Sequence, residues 1–279
     1  MTRALVLGGG GVAGIGWQTG LLFGLSEAGV DVTNADLVIG TSAGSTTGAQ
    51  ILSGTPLGQL YDRHVFPTGE STEIPAELDT DQMVATWGAL LNEYEPGPAL
   101  RAAIGRYALT APTVPERQRR AVIEARLPSH DWPSTPLHIV TVDATTGEER
   151  VFTSDDDVAL IDAVAASCAV PGVWPPVTIE GRRYIDGGVR SSANADFAEG
   201  YDQVLVIAPV RDFLVPEKAI TKRLKKLEKS GSLLTIQPDE ASLDAMGPNP
   251  LDPSMAKPAA QAGRAQAADV VTAVREVWS

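Results

Sequence analysis

Ser42 is the residue whose neighbours best equip it for covalent chemistry. It stands in Gly40-Thr41-Ser42-Ala43-Gly44, a Gly-x-Ser-x-Gly pentapeptide. Leu37-Val38-Ile39 before it read as a short buried strand, and the small residues Ser45 to Leu52 behind it suit a helix. Strand, sharp turn and helix form the context that makes this pentapeptide a nucleophile elbow. Without Cβ atoms, Gly40 and Gly44 let the chain reverse tightly around the serine. Its hydroxyl would then sit at a helix N-terminus, where free N–H groups stabilise an anion. The chemistry is acyl transfer to serine. The competing reading is a Gly- and Ser-rich turn with no chemistry.

A serine hydroxyl needs a base. In the usual triad that base is a histidine oriented by a carboxylate, and the Ser–acid–His order asks for a histidine late in the chain. Only His64, His130 and His138 exist, and each reads as structural: a polar helical turn, a loop and a strand interior. A carboxylate in a desolvated pocket, its pKa raised, can take the proton directly. Asp186 is the best candidate. It ends the extended run Arg183 to Ile185, and Gly187 and Gly188 after it permit close approach. Standing alone, the motif reads as a plain Asp-Gly turn.

These residues need a scaffold. Arg3 to Leu7 reads as a first strand, emptying into Gly8-Gly9-Gly10-Gly11-Val12-Ala13-Gly14, with a helix from Ile15 to Ala28. Together with Leu37 to Ile39 this is a βαβ unit and a parallel strand pair. Gly9, Gly11 and Gly14 match the dinucleotide fingerprint, which would make the chain an oxidoreductase. The acid required at the end of the second strand is absent, however: Asp31 and Asp36 both precede it. The loop is better used to aim backbone N–H groups at an oxyanion beside Ser42.

Residues 55–130 carry helical spacing in Met83, Val84, Trp87, Leu90 and Leu91, and again in Leu100, Ala103, Ile104 and Tyr107. This zone is expected to be a helical cap inserted over the site. Leu137 to Val142 and Glu149 to Thr153 predict a hairpin through Thr146-Gly147, followed by a helix over Val158 to Ser167. Short strands are expected at 177–179, 183–185 and 203–208. The expected organisation is a single domain, 1–279, with its core at about 3–210. A helical tail covers about 216–279, including a basic helix over Lys218 to Lys229, a loop-rich 238–258 and a last helix from Ala259.

Composition narrows the function classes. A net charge of −13 argues against a nucleic-acid partner and against tight docking on an anionic membrane. The lone Cys168 excludes an internal disulfide and a cysteine metal site. With three histidines at unsuitable spacing no metal is expected, and Asp155-Asp156-Asp157 reads as a solvated turn. No signal peptide or long apolar run is visible, so a cytoplasmic location is the expectation.

Four motifs occur in one order: Gly9-Gly10-Gly11-Val12-Ala13-Gly14, Gly40-Thr41-Ser42-Ala43-Gly44, Ala169-Val170-Pro171-Gly172 and Asp186-Gly187-Gly188. The combination resembles the patatin-like phospholipase family of lipid acyl hydrolases, over Leu5 to about Ala208. The resemblance implies a three-layer α/β/α sandwich with a central, mostly parallel sheet. It implies a Ser–Asp dyad, with Ser42 as nucleophile and Asp186 as base, and an oxyanion hole from the N–H groups of Gly10 and Gly11. It implies a lipid or other ester as substrate, transient contact with a membrane surface, and no cofactor. One position departs from the pattern. Where the family loop carries Arg or Lys before its last glycine, this chain has Ala13, which lessens the expectation of a phospholipid headgroup. A catalytically silent lipid-binding protein and an acyltransferase are the alternatives on the same residues.

Overall fold

The computed structural model describes residues 1–67, 73–76, 80–210, 217–230 and 232–278. Strand β1 (Arg3–Leu7) leads into helix α1 (Gly11–Glu27), and β2 (Leu37–Thr41) into α2 (Ala43–Ile51). The insertion holds α3 (Leu57–Val65), α4 (Thr80–Glu93), α5 (Pro98–Thr110) and α6 (Glu116–Arg126). β3 (Leu137–Asp143) and β4 (Glu149–Phe152) form a hairpin, and α7 (Leu160–Ser167) precedes a second one, β5 (Val177–Ile179) with β6 (Arg182–Asp186). Then come β7 (Gln203–Ile207), α8 (Lys218–Ser230), β8 (Ser232–Ile236), α9 (Glu240–Met246) and α10 (Ala256–Trp278).

Eight strands among the described residues make one mixed sheet, ordered β5-β6-β3-β2-β1-β7-β8 with β4 paired to β3. The run β3-β2-β1-β7-β8 is parallel, and the pairs β3–β4, β3–β6 and β5–β6 are antiparallel. Strand alternation divides the core between two faces. Leu5 and Leu7 of β1 join a cluster with α1, α2, α7 and α10, whereas Ala4 and Val6 meet Ala195, Ala198 and Leu227 on the other side. Val142 and Ile185 extend that second face beneath Leu100 and Ile104 of α5. The result is a three-layer α/β/α sandwich.

The insertion divides between the layers. α3 packs on α1 and α10, α6 packs on α7, and α5 lies on β3 with α4 against it. Met83 and Val84 have side chains outside the described residues, and so does part of the 55–130 zone. Three further points differ from the sequence reading. The tail, read as helical and irregular, supplies β8, which extends the parallel run beside β7. The loop-rich 238–258 stretch contains α9, capped by the Asp239 carboxylate accepting from the Ser242 N–H at 2.7 Å. α1 begins at Gly11, so half of the glycine loop is the helix's first turn. Among the described residues, no helix is long and apolar enough to cross a membrane.

One detail of register places the site. Along β3, backbone groups face opposite edges at alternate residues. The Pro136 carbonyl accepts from Val38 of β2, and Ala144 N–H donates to Arg183 of β6; both lie on one edge. Asp143 N–H, on the other edge, donates to Glu148, the residue before β4. β2 and β6 therefore share an edge of β3 and run toward each other. Thr41 pairs with Val140 and Asp186 with Thr141, adjacent positions.

Candidate active site

Ser42 follows directly from the end of β2 and caps α2 with φ 52° and ψ −118°. Positive φ is unfavourable for a residue with a Cβ, costing about 1–3 kcal/mol, and such strain survives only where the surroundings enforce it. The surroundings here are hydrogen-bonded. Ser42 N–H donates to Ser167 Oγ at 2.9 Å, and the Ser167 hydroxyl donates to the Val140 carbonyl at 2.7 Å. The Ser42 carbonyl accepts from the Ser45 hydroxyl at 2.7 Å and the Cys168 thiol at 3.2 Å. Close packing completes the elbow: a Cβ on Gly44 would stand 1.9 Å from the Leu7 carbonyl oxygen, so only glycine lets α2 lie on β1.

Asp186 ends β6 and is 5% exposed. Its backbone N–H donates to the Ala169 carbonyl at 3.0 Å, which ties the Ala169-Val170-Pro171-Gly172 motif to the carboxylate's position. Its Oδ1 accepts from Gly188 N–H at 2.7 Å. Gly187 is needed for proximity, since a Cβ there would lie 2.3 Å from the Val140 carbonyl oxygen. Burial pushes the carboxyl from 3.8 up to about 7, against the smaller opposing effect of hydrogen bonds from Gly188 and the Ser42 side chain. A carboxylate titrating near 7 is suited to taking and returning a proton at neutral pH.

Ser42 and Asp186 line one cavity of about 180 Å³ together with Gly9, Gly10, Gly11 and Gly188. Trp87, Val170, Val189 and Leu251 supply apolar walls. In the glycine loop the donors divide. Gly8 N–H donates to the Ile207 carbonyl and Gly9 N–H to the Ser192 carbonyl. The N–H groups of Gly10 and Gly11 have no acceptor among the described residues, and they open the N-terminus of α1 beside Ser42. Gly14 N–H closes the first turn onto the Gly10 carbonyl at 2.8 Å, and Gly40 packs against the start of α2. The Rossmann alternative fares poorly: β2 ends at the elbow, and Ala13 N–H is already taken by the Pro250 carbonyl.

The histidines lie elsewhere. His64 is driven down to about 4, first by burial and then by Arg126 and Arg63, and His138 is lowered by burial. His130 is exposed and its Nε2 lies 3.1 Å from the Glu124 carbonyl. None lines a cavity that contains Ser42. Asp156 accepts from Thr153 N–H at 2.8 Å and pairs with Arg150, a turn arrangement. Among the described residues no cluster of His, Cys, Asp or Glu has metal-site geometry.

Several supporting residues were not singled out from the sequence. Ser167 clamps the elbow. Asn194, in left-handed conformation, donates to the Thr41 hydroxyl and to the Gly187 and Ser191 carbonyls at 3.1, 3.2 and 2.8 Å, joining both motifs from behind. Its Oδ1 accepts from Arg190, which is held in turn by the buried Asp196. Glu73, Arg119, Arg126 and Trp174 border a second small cavity at Ser42. Ser167, a polar residue within an apolar stretch, is the one of these with a local signal.

Residues 5–199 match a family model described as patatin-like phospholipase. Among solved structures, VipD from Legionella pneumophila is 14% identical, with 98% of this chain and 67% of that chain covered at a TM-score of 0.49. The type III effector ExoU from Pseudomonas aeruginosa is 16% identical, with 98% and 53% covered at 0.46. Human GIVD cytosolic phospholipase A2, in complex with methyl γ-linolenyl fluorophosphonate, is 10% identical, with 99% and 59% covered at 0.43. The chain thus spans between about half and two thirds of the length of these proteins. With the family model matching most of its length, the chain belongs to the patatin-like phospholipase family.

Proposed function

We propose that the chain is a serine acyl hydrolase that cleaves a carboxylic ester of a lipid through an acyl-Ser42 intermediate, with Asp186 as base. One observation carries the reading: an elbow serine and a buried carboxyl titrating near 7 share an apolar cavity with two unpartnered N–H groups. Asp186 accepts the Ser42 hydroxyl proton as Oγ attacks the ester carbon. The carbonyl oxygen becomes an oxyanion, which takes hydrogen bonds from Gly10 and Gly11 N–H. Collapse expels the alcohol, which receives its proton from Asp186. A water then gives a proton to Asp186 and attacks the acyl-enzyme, and Ser42 leaves with that proton restored. Every proton passes through one carboxyl, so no histidine is required.

The cavity's 180 Å³ equals about six water-sized volumes, room for the reacting end of an acyl chain. The test is intact-mass analysis after exposure to an alkyl fluorophosphonate, on wild type, Ser42→Ala and Asp186→Asn. The expected result is one adduct on wild type, none on Ser42→Ala and slow labelling of Asp186→Asn. A folded wild type that takes no adduct would sink the assignment. Adduct formation without ester turnover would favour transfer to an acceptor other than water.

A further inference from the structure

Asn194 is fully buried and has φ 54°, a left-handed conformation that is costly for a residue with a Cβ, though least so for Asn and Asp. Its contacts span the site. The Nδ2 group has two hydrogens to share among the Thr41 hydroxyl at 3.1 Å, the Gly187 carbonyl at 3.2 Å and the Ser191 carbonyl at 2.8 Å. Thr41 immediately precedes Ser42, and Gly187 immediately follows Asp186. A single amide is therefore tied to the chain next to the elbow serine and next to the carboxyl. Strand β3 relates the same two strand ends through backbone pairing, Thr41 with Val140 and Asp186 with Thr141. Asn194 adds a second tie, made by a side chain.

The amide is held in one orientation. Its Oδ1 accepts from Arg190 Nη1 at 2.7 Å, so turning the group over would set donor against donor. Arg190 is fixed in turn. Its Nη1 and Nη2 reach the two carboxylate oxygens of Asp196 at 2.8 and 2.7 Å, the parallel fork that gives such pairs their geometric specificity. The guanidinium also lies over the Phe197 ring, 4.5 Å from its centroid. Asp196 is buried and takes a second cation, Arg223 of α8, at 3.2 Å. A buried ion pair often adds no net stability over apolar residues of similar volume, because both charges must leave water. What this pair supplies is direction: with Arg190 held by Asp196, the Asn194 donors face the two motifs.

We propose, resting on the hydrolase reading above, that Asn194 is a positioning residue for acyl transfer: it sets the spacing between Ser42 and Asp186, and the Arg190–Asp196 pair orients it. The two residues sit on strands that run toward each other, so a small slide of either strand changes their separation directly. Proton transfer from a hydroxyl to a carboxylate needs about 2.6–3.2 Å between heavy atoms. An error of about 1 Å can cost about a hundredfold in rate. In a dyad no third group lies between nucleophile and base to take up such an error. Asn194 lines neither cavity that contains Ser42. Its loss therefore leaves substrate binding intact and slows the chemical step.

Two variants separate the tie from the fold. Asn194→Gly keeps a backbone free to adopt positive φ and removes the amide. Thr41→Val keeps the shape of the side chain and removes the hydroxyl, leaving Asn194 its carbonyl acceptors on Gly187 and Ser191. Both are assayed with 4-nitrophenyl butyrate for kcat and KM, with an alkyl fluorophosphonate for the labelling rate of Ser42, and by thermal melting. In each, kcat is expected to fall by about tenfold to a hundredfold, with labelling slowed by a similar factor. KM is expected to stay within about twofold, the mark of an interaction that matters to the transition state alone. Thr41→Ser, which retains the hydroxyl, is expected to recover most of the loss seen with valine. Variants that melt lower yet keep kcat and labelling rate would show a structural role and overturn the proposal. A raised KM at unchanged kcat would overturn it too. If Asn194→Gly does not fold, Thr41→Val and its serine rescue decide alone. A wild type that neither labels nor turns over would sink the hydrolase reading and the proposal with it; a reactive wild type with equally reactive variants would refute the positioning role alone.

Discussion

Replacing Asp186 by asparagine should abolish turnover and stabilise the fold, by an amount that depends on pH. The carboxyl sits near 7 in the folded chain against an ordinary 3.8, chiefly because burial disfavours its charged form. At pH 8 the group is ionised in both folded and unfolded chains, so the native state carries the full cost, about 4 kcal/mol at about 1.4 per pKa unit. At pH 5 the native carboxyl is protonated and the unfolded one mostly is not, which leaves a cost of about 2 kcal/mol. Stability from this group is present below the ordinary value and lost as pH rises through about 7. Asparagine is neutral throughout, has nearly the same shape, and retains an acceptor for Gly188 N–H. The stability gain of Asp186→Asn over wild type should therefore grow by about 2.5 kcal/mol between pH 5 and pH 8. Urea titrations of both proteins at the two pH values, followed by circular dichroism, measure it. A difference that stays constant within about 0.5 kcal/mol would refute the raised carboxyl and its role as a base near neutrality.

Three other outcomes follow from the same geometry. kcat/KM on a neutral short-chain ester should rise with pH through about 7, because the base must be ionised, and fall about tenfold per unit well below it; a flat profile from pH 5 to 8 would contradict this. Ser167→Ala removes the acceptor of Ser42 N–H and should cost about 1–3 kcal/mol in stability. Its kcat should drop more than its KM changes, as steady-state kinetics will show. Gly44→Ala would put a methyl 1.9 Å from the Leu7 carbonyl oxygen, and should cost about 3 kcal/mol or more by denaturant titration, or prevent soluble expression.

The elbow was legible because its cues are local: three aliphatic residues, two glycines and small helix-compatible residues lie within one stretch of sequence. The β3–β4 hairpin was legible for the same reason, with Thr146-Gly147 between two extended runs. β8 escaped notice because Leu233 and Leu234 are a short apolar run after a basic helix, and the pairing comes from β7, distant in sequence. The first turn of α1 escaped because Gly11 and Gly14 are poor helix formers, and packing against neighbouring loops overrides that propensity. Arg119 and Arg126 sit in a segment, Glu116 to Arg126, whose many charges suit an exposed helix; no spacing rule shows that Arg119 is buried and that both line a cavity at Ser42. Ser167 and Asn194 act through single hydrogen bonds formed only when remote segments meet. Ser42 and Asp186 could be named as candidates from motifs, but the residues that hold and charge their surroundings depend on tertiary packing.

The head-to-head meeting of β2 and β6 on one edge of β3 has a consequence for how the protein is made. Neither strand can deliver its residue until β3 lies alongside both as a template, and β6 is synthesised last of the three. On the proposed mechanism, a growing chain that has already exposed Ser42 lacks Asp186 beside it, and should stay inert toward ester substrate until the hairpin ending at Asp186 has folded. A slip of either strand by one residue would move its end by about 3.3 Å and turn alternate side chains to the opposite face, dismantling the pair. Long-range pairings of this kind form slowly. Onset of hydrolysis during refolding would thus time the docking of β6, a late event that backbone spectroscopy alone does not isolate.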